Sequence, residues 1–144
     1  MEGIVYQLNV KSKTPGERGI PKFAVSSVDV KVEGFVGDYN VYRLEEKIIG
    51  KGDKRKAVML LPLETIIQLN NEGWPIKPGD LGENITTKGI EYGAFYGSTV
   101  KIGNVLLAVN EPCWPCKNLK VLPYVGEERI KDFVKTLINR RGWY

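Results

Sequence analysis

The sequence predicts a mainly β fold of the α+β class, an antiparallel barrel-like sheet with two peripheral helices. Short strand-like runs recur at intervals of about ten residues, with turn-forming glycine, proline, asparagine and aspartate between them. Two segments show helical periodicity, and the absence of a regular alternation of strands and helices argues against a doubly wound parallel sheet. At 144 residues, the chain fits a single domain over 1–144.

Apolar positions that alternate with polar ones, or form short continuous runs, define the expected strands. These fall at 4–10, 28–32, 57–61, 81–86, 100–102 and 105–109. A further short, irregular strand is expected over 39–44, between turns at 37–38 and at Gly50 and 52–53.

The two expected helices cover 62–71 and 126–139. The first begins at Pro62, ends before Gly73 and places apolar side chains on one face. The second carries apolar residues at helical spacing and stops before Gly142.

The bulk composition predicts a cytoplasmic protein without a membrane segment. Hydrophobic residues make up 42% and charged residues 26% of the chain, as in soluble globular domains. No apolar stretch reaches the roughly 18 residues that a membrane span needs, and the first residues lack the basic start of a secretory signal. Two cysteines without an export signal suit a reducing cytoplasm, where a close pair is more often reactive than structural.

The net charge of +4 comes from the end of the chain, since 117–144 holds seven basic and three acidic residues. Such an excess attracts phosphate groups, or is simply a solvated helix face. Arg140, Arg141, Trp143 and Tyr144 combine charge with aromatic rings, as surfaces for single-stranded nucleic acid do. We favour the interpretation that the aromatics close the end of the barrel, so nucleic acid is not an expected partner.

Cys113 and Cys116 are the only cysteines, and the chain has no histidine. They are therefore its only soft nucleophiles or soft metal ligands. Pro115 stiffens the backbone before Cys116, and the ammonium of Lys117 after it favours a thiolate.

Other interpretations of the pair remain open. A structural zinc site needs four ligands, so one cysteine pair would have to recruit carboxylates or a second chain, and no metal site is expected. The spacing suits a dithiol oxidoreductase, but fewer than thirty residues follow the pair, too few for a thioredoxin fold. The thiols could also be two small buried apolar groups at a strand end.

Four motifs follow one another in the second half of the chain: Gly82-Glu83-Asn84, Ile102-Gly103, Pro115-Cys116 followed by Leu119, and Gly142-Trp143-Tyr144. In this order and spacing they resemble the MOSC domain, named for the C-terminal domain of molybdenum-cofactor sulfurases. The resemblance covers roughly 1–144 and is strongest over 57–119. It implies a β-barrel with appended helices.

The resemblance also implies sulfur carriage. Cys116 would accept a sulfane sulfur as a persulfide from a pyridoxal-phosphate-dependent cysteine desulfurase. It would pass this sulfur to a metal–sulfur acceptor such as the molybdenum or tungsten cofactor or its enzyme. In some relatives the equivalent cysteine instead ligates molybdenum, and the protein reduces N-hydroxylated compounds.

The sequence departs from the family pattern in three places. It lacks the histidines and glycines that many relatives carry around 50–57, which weakens the oxidoreductase interpretation. The second thiol, Cys113, occupies a position that the family does not require. Many relatives continue beyond the position of Tyr144 into a further strand, so we expect a minimal carrier.

The expected site consists of two catalytic thiols and four cofactor-binding residues. Cys113 could attack a persulfide on Cys116, releasing sulfide and leaving a disulfide. Arg55, in the basic cluster 51–56, could hold a phosphate or pterin bidentately. Asn84 could donate to a ligand oxygen with Glu83 orienting it, and Lys117 would lie beside the thiolate. A solvated loop around Arg55 and a hydrogen-bonded turn at 82–84 are the structural alternatives.

The sequence therefore predicts a cytosolic sulfur-transfer domain with the molybdenum cofactor as its ligand or acceptor. One alternative is a cofactor-binding module that transfers no sulfur. The other is a dithiol oxidoreductase that uses the cysteine pair.

Overall fold

Eight strands and three α-helices make up the fold in a computed structural model that describes residues 1–45 and 53–144. The strands are β1 (Ile4–Val10), β2 (Phe23–Val25), β3 (Val30–Lys31), β4 (Gly34–Phe35), β5 (Leu60–Pro62), β6 (Ile85–Lys88), β7 (Thr99–Ile102) and β8 (Val105–Ala108). The α-helices are α1 (Tyr39–Glu45), α2 (Leu63–Asn71) and α3 (Gly126–Thr136). Three 3-10 helices span Lys54–Lys56, Tyr92–Phe95 and Lys117–Val121.

A four-stranded sheet in the order β2-β1-β6-β5 forms the centre of the fold. β1 pairs antiparallel with β2 and with β6, whereas β5 runs parallel to β6. β3 with β4, and β7 with β8, form two separate antiparallel pairs. The predicted mixed α+β class with a predominance of sheet is confirmed. Within the described ranges the ladders do not close into a barrel, so the barrel-like form is not confirmed.

The two predicted peripheral helices are present as α2 and α3, but α1 is a third helix. It occupies the segment for which we expected a short strand, and that prediction was wrong. The physical reason is the preceding Asp38, whose carboxylate accepts the backbone N–H of Asn40 at 3.2 Å, as helix-capping aspartates do. β2 was missed, and only two residues of the strand predicted at 28–32 pair in a ladder. The turn predicted at Gly50 and Gly52, and Lys51 of the basic cluster, lie outside the described residues.

Two apolar cores lie on either side of the central sheet. One packs α2 and α3 against the sheet and centres on Leu61, Leu69 and Phe133. The other joins the sheet to the β7–β8 pair and includes Phe35, Phe95 and Trp143. None of the described helices has both the length and the apolar character needed to cross a membrane.

Residues 141–144 are held between β5 and the loop that carries the cysteines. Leu60 and Trp143 exchange two backbone hydrogen bonds, of 2.8 and 2.9 Å. The N–H of Cys113 donates to the carbonyl of Gly142 at 2.8 Å. The Tyr92 hydroxyl donates to that same carbonyl at 3.0 Å and accepts the Gly142 N–H at 3.1 Å. The end of the chain is therefore fixed to the sheet on one side and to the cysteine loop on the other.

Gly142 is required at the centre of this connection. Its φ of +128° is disfavoured for residues with a side chain, and an added Cβ would lie 2.6 Å from the carbonyl oxygen of Leu60. We expect Gly142→Ala to lower the free energy of unfolding by about 2–3 kcal/mol. Denaturant unfolding measures the change.

Gly93→Ala is the matched control, because a Cβ there meets nothing within 4 Å and the φ is not in the positive region. It should leave the unfolding midpoint close to that of the parent protein. Equal midpoints for the two variants would show that residues 141–144 are not packed as described.

Candidate functional site

A cleft of about 340 Å³ opens beside the cysteine loop. Most of its lining comes from the loop before β2, from α1, and from the cysteine loop together with the last residues of the chain, while Lys56, Met59 and Gly82 complete it. Its lining residues are Arg18, Gly19, Ile20, Lys22, Tyr39, Asn40, Arg43, Lys56, Met59, Gly82, Pro112, Cys113, Trp114, Cys116, Asn118, Arg141 and Tyr144. Both cysteines thus border a space that could admit a ligand.

Arg141 is the cation in contact with Cys116. Its Nη1 lies 3.5 Å from the Cys116 sulfur and donates to the carbonyl of Trp114 at 2.7 Å. Nε and Nη2 both donate to the carbonyl of Leu81 at 3.3 Å, so the guanidinium is fixed in position. Burial opposes the charge on Arg141, whose side chain is almost fully enclosed, but the two thiols raise the pKa of the guanidinium. The guanidinium therefore presents a fixed, positively charged hydrogen-bond donor to the Cys116 sulfur.

The two thiols occupy different environments. Cys116 is partly exposed at the cleft, immediately before the 3-10 helix Lys117–Val121, whereas Cys113 is only 3% exposed. Burial raises the pKa of the Cys113 thiol, although Arg141 and the Tyr144 hydroxyl partly offset this. Both cysteines are free. Cys116 is therefore placed to meet a ligand, and Cys113 is kept as a neutral thiol behind it.

The lining of the cleft is basic. Five of its residues are arginine or lysine (Arg18, Lys22, Arg43, Lys56 and Arg141), and no acidic residue lines it among residues 1–45 and 53–144. Arg18 and Arg43 take part in none of the ion pairs between described side chains. The cleft is therefore suited to attract an anion.

Lys22 is a buried member of this lining. Its Nζ lies 2.7 and 2.8 Å from the two carboxylate oxygens of Asp38, which is itself buried. Burial lowers the pKa of Lys22, and the Asp38 carboxylate opposes this shift. The pair connects the loop before β2 to the start of α1, and so fixes one wall of the cleft.

None of the four predicted cofactor-binding residues is part of the cleft lining, and two of them, Arg55 and Lys117, lie on the surface outside it. The Arg55 side chain is 75% exposed, contacts Asp53 at 3.0 Å and borders a different groove. Lys117 is exposed and is not among the residues that line the cleft, although it follows Cys116 in the chain. The structure thus brings Arg141, and not Lys117, into contact with the Cys116 sulfur.

Glu83 and Asn84 are fully buried behind the cleft. Glu83 Oε1 accepts the N–H of Gly79 at 2.6 Å and the Thr86 hydroxyl at 3.0 Å. Its other oxygen has no partner among the described residues, and burial raises the pKa of this carboxyl to about 7.

Asn84 makes hydrogen bonds within the protein. Its Oδ1 accepts the N–H of Met59 at 3.1 Å and the amide of Asn40 at 3.4 Å, while its Nδ2 donates to the carbonyl of Asn9 at 3.3 Å. Met59 and Asn40 line the cleft. Asn84 therefore supports the cleft from behind, and its predicted contact with a cofactor remains a hypothesis.

Sequence reasoning missed most of the basic lining. Arg141 stands next to the Gly142-Trp143-Tyr144 motif, so its position in the chain offered one signal. Arg18, Lys22 and Arg43 come from segments far from the cysteines in sequence, and no local pattern marks them. Across the described ranges, no group of three or more histidine, cysteine, aspartate or glutamate side chains could hold a metal ion.

Comparison with known proteins identifies the class to which this fold and cleft belong. The family model for the MOSC domain matches residues 40–144. The chain belongs to the MOSC domain family and is thereby related to the C-terminal domain of molybdenum-cofactor sulfurases. A search of curated proteins gave no match.

Solved structures share the fold over nearly the whole chain. The YuaD protein from Bacillus subtilis matches with a TM-score of 0.72 and 17% identity, covering 99% of this chain and 86% of that one. YiiM from Geobacillus stearothermophilus matches with a TM-score of 0.68 and 25% identity, covering 99% and 66%. YiiM from Escherichia coli matches with a TM-score of 0.61 and 21% identity, covering 97% and 60%. The chain thus spans about two thirds or less of the YiiM proteins.

The contact between Arg141 and Cys116 predicts that substitution of Arg141, and not of Lys117, slows alkylation of the Cys116 thiol. Arg141→Gln should slow alkylation of Cys116 by iodoacetamide at neutral pH about tenfold, because one charge-assisted hydrogen bond to the sulfur is lost. Arg141→Lys, which keeps the charge but not the fixed geometry, should be intermediate. Peptide mass mapping assigns the alkylated cysteine, and circular dichroism verifies that each variant is folded.

Lys117→Gln is the matched control, with an expected change of less than about twofold. If Lys117→Gln slowed alkylation as much as Arg141→Gln does, the assignment of Arg141 as the partner of Cys116 would be wrong.

The buried Glu83 carboxyl predicts a pH dependence of stability. Its folded-state pKa of about 7 exceeds the ordinary value of 4.5, so the folded state holds this proton more tightly than the unfolded state. The contribution to stability is complete below pH 4.5 and is lost as pH rises through about 7, a loss of about 3 kcal/mol in all. Glu83→Gln, which cannot ionise, should remove this part of the slope from the unfolding free energy measured against pH.

Glu128→Gln on the exposed face of α3 is the control, and it should keep the slope of the parent protein. Parallel slopes for the parent and Glu83→Gln would show that the Glu83 carboxyl titrates as an ordinary solvated group.

Proposed function

We propose that this chain is a sulfur-transfer domain in which Cys116 carries a sulfane sulfur as a persulfide. The observation that supports this most strongly is the fixed guanidinium of Arg141, which lies 3.5 Å from the Cys116 sulfur in a cleft with five basic lining residues. A persulfide is anionic at its terminal sulfur at neutral pH, so this environment favours its formation and its retention.

Loading requires no net oxidation. The Cys116 thiolate attacks the terminal sulfur of a persulfide on a pyridoxal-phosphate-dependent cysteine desulfurase. The S–S bond of the donor breaks, a new S–S bond forms at Cys116, and the donor cysteine leaves as a thiolate. Arg141 stabilises the anionic sulfur before and after the exchange.

Discharge to sulfide requires two electrons, which the second thiol can supply. The Cys113 thiolate attacks the inner sulfur of the Cys116 persulfide, the terminal sulfur leaves as hydrosulfide, and a Cys113–Cys116 disulfide remains. A dithiol reductant must then reduce this disulfide. Since burial raises the pKa of Cys113, the attack is slow in the resting cleft, and the carried sulfur is protected until an acceptor arrives.

The acceptor we propose is the molybdenum or tungsten cofactor, as substrate, or the enzyme that holds it. Its phosphate-bearing pterin is an anion, and Arg18 and Arg43, which line the cleft, could hold such a group. The cleft volume of about 340 Å³ lies at the lower end of the range for small-molecule sites. Bound there, the metal would take up the released hydrosulfide as a sulfido ligand in exchange for an oxygen ligand, which would leave as water. We propose that this sulfur transfer takes place in the cytoplasm. We also propose that residues 1–144 act as a single domain.

The basic lining also favours a second candidate, a module that binds the cofactor without transferring sulfur. In that case Cys116→Ala would leave cofactor binding unchanged. A dithiol oxidoreductase is less well supported, because burial disfavours the thiolate of Cys113 that rapid disulfide exchange would need.

Sulfur loading tests the proposal directly. Incubation with a cysteine desulfurase and cysteine should add about 32 Da, or a multiple of it, to the intact mass, the adduct lying on Cys116. Cys116→Ser should abolish the adduct. Cys113→Ser should keep it and slow the release of sulfide upon addition of a dithiol, because the internal attacking thiol is gone.

Lys131→Ala is the matched control, since this exposed lysine on α3 lies outside the cleft lining; the variant should load as the parent does. An unmodified parent protein under conditions that load an established carrier would refute the proposal. An adduct that persists in Cys116→Ser would assign the chemistry to another residue.

A further inference from the structure

A second groove, of about 430 Å³, lies between β3 and β8. Val30, Lys31 and the next residue, Val32, border it on one side, and all four residues of β8 (Val105–Ala108) border it on the other. Successive side chains of a strand point to opposite faces. Since consecutive residues all border the groove, the edges of the strands face it.

Both of these edges lack a ladder partner in the described part of the chain. β3 pairs only with β4, and β8 pairs only with β7. The unpaired edges of β3 and β8 border the groove from opposite sides. No ladder joins β3 to β8, so the expected barrel is open here in the described part of the chain. A free strand edge presents unpaired N–H and C=O groups and is a template for an added strand.

The groove has an apolar floor and a basic rim. Val58, Leu60 and Leu107 contribute to the floor, and Leu106 of β8 is 68% exposed beside it. Among the described residues of the lining, Lys31, Lys54 and Arg55 are the charged ones, and none is acidic. The complementary ligand is therefore extended and acidic, with apolar side chains at alternate positions.

The groove adjoins the cysteine cleft. Tyr144 lines both spaces, and its hydroxyl interacts with the Cys113 thiol. Loading of Cys116 needs a donor protein positioned over the cleft, because the donor sulfur is itself attached to a cysteine. A protein bound in the groove would lie next to the mouth of the cleft.

We propose that this groove docks an extended acidic segment of the sulfur-donating enzyme, which adds a strand between β3 and β8. This inference rests on the proposed function and names the docking surface of its protein partner. Main-chain hydrogen bonds provide the pairing, alternate apolar side chains enter the floor, and acidic side chains meet Lys31, Lys54 and Arg55. The aliphatic floor favours a peptide over nucleic acid, whose bases need stacking platforms.

Random decapeptides displayed on phage identify the preferred ligand without assumptions about the donor. Selection on the Cys116→Ser protein should enrich sequences that alternate acidic and apolar residues. For the most enriched peptide, fluorescence anisotropy should show at least tenfold weaker binding to Leu106→Glu and to Lys54→Glu. Ile67→Glu is the matched control, since Ile67 is an exposed apolar residue on α2 outside the groove, and it should bind as the parent does.

Loading kinetics separate docking from chemistry. With cysteine desulfurase as donor, Leu106→Glu should raise the KM for the desulfurase about tenfold and leave kcat unchanged. With glutathione persulfide, a small donor that needs no docking, Leu106→Glu should load at the parent rate. Failure of the parent protein to load from either donor would refute the sulfur-transfer function, whereas the peptide measurement tests the groove independently.

Three results would overturn the docking proposal. The first is selection of basic peptides or of no consensus at all. The second is equal binding of the selected peptide by Leu106→Glu and Ile67→Glu. The third is a concentration-dependent dimer, seen by light scattering, that Leu106→Glu abolishes, since it would assign the groove to a second copy of the chain.

Discussion

The candidate site depends on the backbone pairing of the last four residues with β5 and with the cysteine loop. Leu60 and Trp143 exchange two hydrogen bonds, and the carbonyl of Gly142 accepts the N–H of Cys113. Each such bond contributes only about 1 kcal/mol net, but an unpaired buried group costs more, so the three are formed or lost together. Because Arg141 directly precedes Gly142, the same pairing determines where its guanidinium lies.

Burial of the Arg141 guanidinium is electrostatically costly, and its interaction with the Cys116 sulfur suggests why the site retains it. A buried guanidinium is unfavourable unless its donors are satisfied, and the carbonyls of Leu81 and Trp114 accept most of them. The remaining interaction is with the Cys116 sulfur. The arrangement also distinguishes the two thiols of a CxxC pair, since Cys113 is held neutral by burial while Cys116 meets the cation at the cleft. This asymmetry suits a carrier better than a freely exchanging dithiol.

Local patterns in the sequence predicted the parts of the fold that local interactions determine. The apolar periodicity before Gly73 and before Gly142 correctly located α2 and α3, and the strand predicted at 4–10 has the observed bounds. The helix α1 was mistaken for a strand because a short segment carries little periodic signal and its capping by Asp38 was overlooked. Whether the ladders close could not be read from the strands individually, since closure depends on pairing between distant segments.

The site was predictable where a chemically distinctive residue marks it, and not where distant segments supply ordinary cations. The absence of histidine and the presence of one cysteine pair directed attention to Cys113 and Cys116. Adjacency in sequence predicts Lys117 as the cation beside Cys116, but the described cation in contact with the Cys116 sulfur is Arg141. Arg141, twenty-five residues further along, reaches Cys116 because the chain returns to β5. Arg55 lies instead at the groove between β3 and β8, where we propose that its charge attracts acidic side chains of the donor.

Amide hydrogen exchange, resolved by NMR, tests the central claim most directly. If the end of the chain is fixed between β5 and the cysteine loop, the amides of Trp143 and Cys113 should exchange as slowly as the paired amides of the central sheet, because they open only with the core. Exchange of these two amides at the rate of an unstructured peptide, in a protein whose central sheet remains protected, would contradict the account.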